Sequence, residues 1–256
     1  MSAFLTMLAV TTAAGVATGL GAIPTLAGAR VSHRVYDAAL GFASGIMIAA
    51  SVFGLIVPGM EVGSLGAVMI GVFLGGFGLL AANRLIPHLH VQYTNWVRHG
   101  GASDQIDDRL RRAVLIGGAI TLHNAPEGLA MGIAFASGLE EVAFVLAVVI
   151  GIQNVPDGFA FAVPVSQSGV SNVQVLVLTT LSGVVPQVAA ALVGFGLVSL
   201  STALFPIAAG FAAGAMIGVV FREMVPSSHG HGYADSATAA FLVGFVILVV
   251  VDAVIG

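Results

Sequence analysis

Long runs of apolar residues fill most of the chain, and short polar stretches separate them. A transmembrane helix needs about 20 mostly apolar residues, because a helix rises about 1.5 Å per residue and the bilayer core is about 30 Å thick. Eight runs are long enough: 3–28, 38–60, 63–84, 112–137, 142–165, 172–198, 202–222 and 236–256. The pattern predicts an all-α, polytopic membrane protein with eight transmembrane helices in a single domain, residues 1–256.

Composition agrees with this prediction. The chain is 58% hydrophobic and only 8% charged, whereas soluble domains carry about 25% charged residues. It has no cysteine, which excludes disulfides and thiolate metal ligands. We therefore expect the lipid bilayer to surround the chain, and we expect no nucleic acid partner and no organic cofactor.

Basic residues predict how the chain is oriented. All of them are arginines, and with eight helices they all fall on one side of the membrane, which the positive-inside rule makes cytoplasmic. The polar segment of about 85–111, between helices three and four, is then a cytoplasmic loop. Both termini are extracytoplasmic, and the expected location is the plasma membrane. The arginines are Arg30, Arg34, Arg84, Arg98, Arg109, Arg111, Arg112 and Arg222.

Two short patterns recur within the chain. The hexapeptide at 123–128, HNAPEG, returns 30 residues later as QNVPDG at 153–158. The octapeptide at 41–48, GFASGIMI, returns as GFAAGAMI at 210–217. In each case the two copies lie on predicted helices that run in opposite directions. This arrangement is typical of internal inverted repeats, which in transporters place the binding site near the membrane midplane.

The hexapeptides bring polar side chains into apolar helices. His123 and Glu127 are four residues apart, as are Gln153 and Asp157, so each pair projects from one helix face. The proline of each motif removes a helical hydrogen bond, and such irregular backbone is tolerated at membrane depth only where it lines a cavity or is buried in protein. Ionisable residues inside the membrane usually serve function.

An imidazole, two carboxylates and an amide oxygen would suit a divalent cation, because the two carboxylates balance its charge. Histidine with Asp and Glu, without Cys, favours Zn²⁺, Fe²⁺, Mn²⁺ or similar ions over Cu⁺. The alternative is a hydrogen-bonded polar seam between helices with one carboxylate protonated. The matched motifs favour the metal site, since proline and glycine recur in register.

These motifs resemble the paired metal-binding motifs of the ZIP (Zrt-, Irt-like) divalent metal transporters, and most closely those of the GufA-like prokaryotic branch. The resemblance extends over nearly the whole chain. It implies a metal ion bound between helices four and five and moved towards the cytoplasm by a helix bundle that slides against a scaffold. It assigns the main transport site to His123, Glu127, Gln153 and Asp157.

The resemblance also raises the question of a second metal site. Asn124 matches a residue of the second site in binuclear members of the family. Asn154 stands where such members can carry an acid, and Val185, before Pro186 in helix six, stands where they carry Glu. We therefore predict a single site, with Asn124 and Asn154 as outer or weak metal ligands.

Other residues have ordinary structural explanations beside functional ones. Four of them are candidates for the ion pathway: Met47, Glu61, Glu223 and Asp252. The alternative for Met47 is core packing, and the alternative for Glu61 is a solvated acid in a loop. The alternative for Glu223 is a pair with Arg222, and that for Asp252 is a helix cap. Five histidines are further candidates for binding cytoplasmic metal: His88, His90, His99, His229 and His231.

The function predicted on this basis is import of a divalent metal ion. Zn²⁺ is the first expectation, and Fe²⁺, Mn²⁺ and Cd²⁺ are alternatives. A passive divalent cation channel and a non-transporting metal sensor remain as other functions, and a homodimer is left open. The chain has no H-E-x-x-H motif, which disfavours an intramembrane metallohydrolase, so we expect no enzyme activity.

Overall fold

The computed structural model describes residues 2–26, 31–98, 123–167 and 169–255, with the backbone alone for 85–98 and 255. These residues form helices and contain no strand. We number the long helices α1 to α8 in chain order. They are α1 Ala3–Leu20, α2 His33–Ser51, α3 Leu65–Arg98, α4 123–137, α5 Glu140–Gln167, α6 Asn172–Leu200, α7 Phe205–Val219 and α8 Ala234–Ile255.

Shorter helical pieces extend three of these helices. Ile23–Leu26 follows α1, and the 3₁₀-turn Thr202–Leu204 leads into α7. Beyond α2 the chain stays helical through a π-helical turn and one more α-helical piece, Val52–Ile56 and Val57–Val62. Beyond α7 it does the same, through Val220–Met224 and Val225–Ser228.

The all-helical architecture is confirmed for the part of the chain that the structure describes. Seven helical stretches there are long and apolar enough to cross a membrane. They correspond to every predicted span except the fourth, 112–137. Only residues 123–137 of that span are described, and they are helical.

The prediction of a loop over about 85–111 is wrong for its first part. Helix α3 continues to Arg98, because apolar residues keep recurring at helical spacing beyond Arg84, for example at Leu85 and Leu89. The polar residues among them had suggested a loop. The backbone at His88 and His90 is helical, whereas their side chains, and all of 99–111 with His99, lie outside the described residues.

One group of packed helices consists of α2, α3, α7 and α8, with α2 against α8 and α3 against α7. Glycines allow both contacts. A Cβ atom at Gly45 would overlap the carbonyl oxygen of Phe241, and one at Gly214 would overlap that of Val72. Gly45 and Gly214 occupy the same place in the two matched octapeptides. Both octapeptides are also followed by a π-helical turn.

The other group consists of α1, α4, α5 and α6. Helix α1 packs against α5 and α6. The glycine that ends each hexapeptide lies at a helix contact. A Cβ at Gly128 would overlap the carbonyl oxygen of Gln187 on α6, and one at Gly158 would overlap that of Thr18 on α1. Contacts between α2 and α5 join the two groups. The hexapeptides are thus held in place by backbone packing on both sides.

Gly158→Ala is expected to destabilise the protein by about 1–3 kcal/mol, because α1 and α5 must separate to admit a methyl group against backbone. Thermal unfolding of the purified protein in detergent measures this as a lower midpoint. Gly196→Ala, on α6, is the matched control, since a Cβ at that position meets nothing within 4 Å. Equal midpoints for the two variants would contradict the packing described at Gly158.

Candidate metal centre

The two hexapeptides face each other across the contact between α4 and α5. One potential ligand atom from each of His123, Glu127 and Asp157 lies within 4.8 Å of the other two. Glu127 is fully buried, and the side chains of His123 and Asp157 are 12% and 7% exposed. Within the described residues this is the sole group of three or more His, Asp or Glu side chains close enough to hold a metal ion.

Several buried polar atoms at this cluster have no hydrogen-bond partner among the residues that the structure describes. His123 Nε2 lies 3.5 Å from Asp157 Oδ2. Even so, four buried atoms have no hydrogen-bond partner among the described residues: His123 Nε2, Gln153 Oε1 and both carboxylate oxygens of Asp157. Leaving one buried polar group unpaired costs about 1–3 kcal/mol. Four such atoms from the two matched motifs form a set of buried polar groups that a cation would satisfy together, with His123 Nε2 deprotonated.

Glu127 is held by amides at both carboxylate oxygens. Gln153 Nε2 donates to Oε1, and Gln187 Nε2, from α6, donates to Oε2 at 3.5 Å. The side-chain oxygen of Gln153 has no hydrogen-bond partner in the part of the chain that the structure describes. Gln153 can therefore hold Glu127 through its nitrogen and offer its oxygen to an ion at the same time.

Asn124 and Asn154 both use their side-chain nitrogen to bind a backbone carbonyl. Asn124 Nδ2 donates to Ser182 O at 3.0 Å, and Asn154 Nδ2 donates to Ala14 O at 2.7 Å. Their side-chain oxygens are buried and have no hydrogen-bond partner within the described ranges. Each asparagine thus ties its motif to a neighbouring helix and retains one free acceptor. Their assignment as outer or weak ligands stays a prediction.

Glu223 is the pathway candidate that the structure brings to the cluster. Its Oε2 lies 3.9 Å from His123 Nδ1, and its Oε1 accepts a hydrogen bond from Asn83 Nδ2 at 3.2 Å. The neighbouring Arg222 is exposed, and no ion pair joins the two among the described side chains. Glu223 therefore links the helix group of α7 to the group that holds the hexapeptides.

The other pathway candidates lie outside the group of three ligands. Met47 is fully buried in the apolar core, as its alternative explanation predicted. Glu61 is exposed in the helical piece Val57–Val62, and Asp252 is partly buried near the end of α8. Their roles in an ion pathway stay predictions.

Gln187 is the site residue that the sequence analysis missed. That analysis considered only Val185 on helix six, and Val185 is 58% exposed on the outside of the helix bundle. Gln187 is fully buried, because two residues along a helix turn the side chain by about 200°. An amide directly after Pro186 in an otherwise apolar stretch was the signal available in the sequence.

A second polar cluster ties the segment after α7 to the start of α2. Asp37 is fully buried, and its Oδ1 lies 2.8 Å from His231 Nδ1. The rings of His33 and His231 stack with centroids 4.3 Å apart, and the Tyr36 hydroxyl donates to Ala160 O on α5 at 3.4 Å. His231 thus binds a buried carboxylate, and His229 contacts Ser228 and a backbone carbonyl. Metal binding by His229 and His231 stays a prediction.

His231→Ala is expected to destabilise the protein by about 1–3 kcal/mol, because it leaves the buried Asp37 carboxylate without this partner. The measurement is the thermal unfolding midpoint in detergent. His229→Ala is the matched control, since His229 is exposed and contacts no carboxylate among the described residues. A midpoint for His231→Ala equal to that of the control would rule out a stabilising Asp37–His231 contact.

The chain is similar to known zinc transporters along most of its length. The family model described as "ZIP Zinc transporter" matches residues 92–252. The chain is 37% identical to the zinc transporter GufA of Myxococcus xanthus over 252 residues, covering 95% of this chain and 96% of that protein. It is 36% identical to the zinc transporter ZIPB of Bordetella bronchiseptica over 256 residues, covering 94% of this chain and 78% of that protein. Human zinc transporter ZIP11 is 29% identical, with 88% of this chain and 90% of that protein covered. The chain belongs to the ZIP family.

Proposed function

We propose that this protein moves a divalent metal ion, Zn²⁺ first, across the plasma membrane into the cytoplasm through one site between α4 and α5. The ligands are His123, Glu127, Gln153 and Asp157. Membership of the ZIP family and the names of the relatives support transport of zinc. The observation that carries the assignment of the site is the buried cluster of ligand atoms with unpaired acceptors.

Charge balance supports a single bound ion. Glu127 and Asp157 supply two negative charges, which offset one divalent cation in surroundings where an unbalanced charge is costly. Nitrogen and oxygen ligands without thiolate suit Zn²⁺ and also admit Fe²⁺, Mn²⁺ and Cd²⁺. A ligand set of this kind also binds less tightly than a thiolate site, so the ion can leave it again.

The packing of the helices supports transport by relative movement of two groups. The ligands lie on α4 and α5 in one group, while Glu223 reaches His123 from the π-helical turn that follows α7 in the other group. Movement of the first group along the second would carry the ion with its ligands and break the contact with Glu223. Matched glycines in α2 and α7, and the π-helical turns that follow these two helices, support the inverted repeat. Extracytoplasmic termini follow from the arginine pattern.

Uptake by proteoliposomes tests this proposal. Purified protein in liposomes that contain a metal-sensitive dye is expected to give saturable Zn²⁺ uptake, and Fe²⁺, Mn²⁺, Cd²⁺ and Co²⁺ are compared in the same assay. Flux that does not saturate and reaches channel rates would indicate a passive channel. Metal binding with no flux above protein-free liposomes would indicate a sensor. Either of these results would refute carrier-type transport.

A further inference from the structure

We propose that Gln187 limits the metal centre to one ion, by placing an amide donor on Glu127 where a second cation would otherwise share the carboxylate. Gln187 is then a positioning and specificity-determining residue of the transport site. This inference rests on the proposed function, because it concerns how many ions the same site accepts.

Gln187 belongs to a chain of buried amides that ends on Glu127. Asn154 Nδ2 donates to Ala14 O at 2.7 Å and to Gln187 Oε1 at 3.1 Å. Gln187 Nε2 then donates to Glu127 Oε2 at 3.5 Å. All three side chains are essentially inaccessible to solvent. This series of hydrogen bonds connects α1, α5 and α6 to Glu127 on α4.

The backbone carbonyl of Ala14 fixes the donor-to-acceptor direction of this series of hydrogen bonds. A carbonyl oxygen only accepts hydrogen bonds, so Asn154 must turn its nitrogen towards Ala14. The other hydrogen of that nitrogen then meets Gln187, which must present its oxygen there and its nitrogen to Glu127. The positive end of the Gln187 amide is therefore aimed at the carboxylate. Close backbone packing of Gly128 on Gln187 keeps the two helices in this register.

The same arrangement disfavours a second cation beside Glu127. A second divalent ion would add two positive charges, and the groups next to Glu127 on this side are the neutral amides of Asn154 and Gln187. Burying unbalanced charge is costly. The oxygen of Gln187 already accepts from Asn154, and its nitrogen cannot ligate a cation. The third nearby carboxylate, Glu223, lies in the π-helical turn after α7, where it approaches His123 Nδ1 and accepts a hydrogen bond from Asn83.

Metal content of the purified full-length protein tests this inference. Each variant is saturated with Zn²⁺, freed of unbound metal and analysed by mass spectrometry for zinc per protein. We expect one Glu127-dependent ion in the wild type and two in Gln187→Glu, which replaces the amide donor with a carboxylate of the same shape.

Asn154→Asp provides a second route to the same result, which matters if Gln187→Glu does not fold. An aspartate carboxylate only accepts hydrogen bonds, so Gln187 must turn its nitrogen to residue 154 and its oxygen to Glu127. We expect two ions in that variant as well, with folding checked by size-exclusion chromatography. Gln187→Met keeps the size and removes the donor. We expect it to hold one ion with about 10- to 100-fold lower affinity in competition with a zinc chelator dye, as for other partners that orient a metal ligand.

The outcomes separate this inference from the proposed function. Loss of the ion in Glu127→Ala, together with one ion in the wild type, supports the transport site. If the wild type binds one such ion and Gln187→Glu and Asn154→Asp also bind one, the role of Gln187 is wrong while the site stands. Two Glu127-dependent ions in the wild type would also refute the proposed role of Gln187. If the wild type binds no ion that depends on Glu127, the proposed site itself is refuted.

Discussion

Glu127→Ala is expected to lower Zn²⁺ uptake into proteoliposomes by more than about 100-fold. Substitution of a residue that merely orients a metal ligand already costs about 10- to 100-fold in affinity, and Glu127 is proposed as a ligand. Its loss would also leave a bound divalent ion with one carboxylate, Asp157, in surroundings where the remaining charge is poorly solvated. We expect Asp157→Ala to have an effect of similar size.

The controls separate loss of the ligand from loss of the fold. Glu140→Ala makes the same substitution at an exposed glutamate at the start of α5, and we expect uptake close to wild type. Glu127→Gln keeps the shape of the side chain and removes its charge, so we expect it to resemble Glu127→Ala. Because the two carboxylates act on one ion, combining Glu127→Ala with Asp157→Ala should add little. Wild-type uptake in both single variants would refute the site.

Gln153→His is expected to tighten Zn²⁺ binding by about tenfold or more, equivalent to about 1.4 kcal/mol. Imidazole nitrogen is a better zinc ligand than an amide oxygen. An ion bound more tightly leaves more slowly, so the maximal uptake rate should fall while the concentration for half-maximal uptake decreases. A competing zinc chelator dye measures the affinity, and stopped-flow uptake measures the rate.

The matched control is Gln167→His, which makes the same substitution at the exposed end of α5 and should leave both quantities unchanged. In the wild type, Gln153 donates a hydrogen bond to Glu127. In Gln153→His, one imidazole nitrogen binds the ion, so the other nitrogen must donate this hydrogen bond. An unchanged affinity in a folded Gln153→His protein would show that residue 153 is not a ligand.

Much of this site was predictable because its determinants are local in sequence. His123 and Glu127 share a helix face by spacing alone, and the second hexapeptide repeats that spacing with Gln153 and Asp157. The match between the motifs indicated that the two faces meet. The structure then brought His123, Glu127 and Asp157 together within 4.8 Å.

What sequence reasoning missed depends on contacts between distant segments. Gln187 joins the site only because α6 packs closely on Gly128. The contact between Asp37 and His231 links residues 194 positions apart, and neither residue stands in a recognisable motif. The extension of α3 to Arg98 was misjudged for a different reason, since polar residues there were given more weight than helical spacing.

Anomalous diffraction at the zinc absorption edge, from crystals of the zinc-loaded protein, tests the central claim most directly. The account predicts one strong peak between α4 and α5, at about 2.0–2.2 Å from a nitrogen of His123 and from carboxylate oxygens of Glu127 and Asp157. A zinc peak elsewhere in the protein with none between these residues, or carboxylates of Glu127 and Asp157 turned away from a common ion, would contradict it.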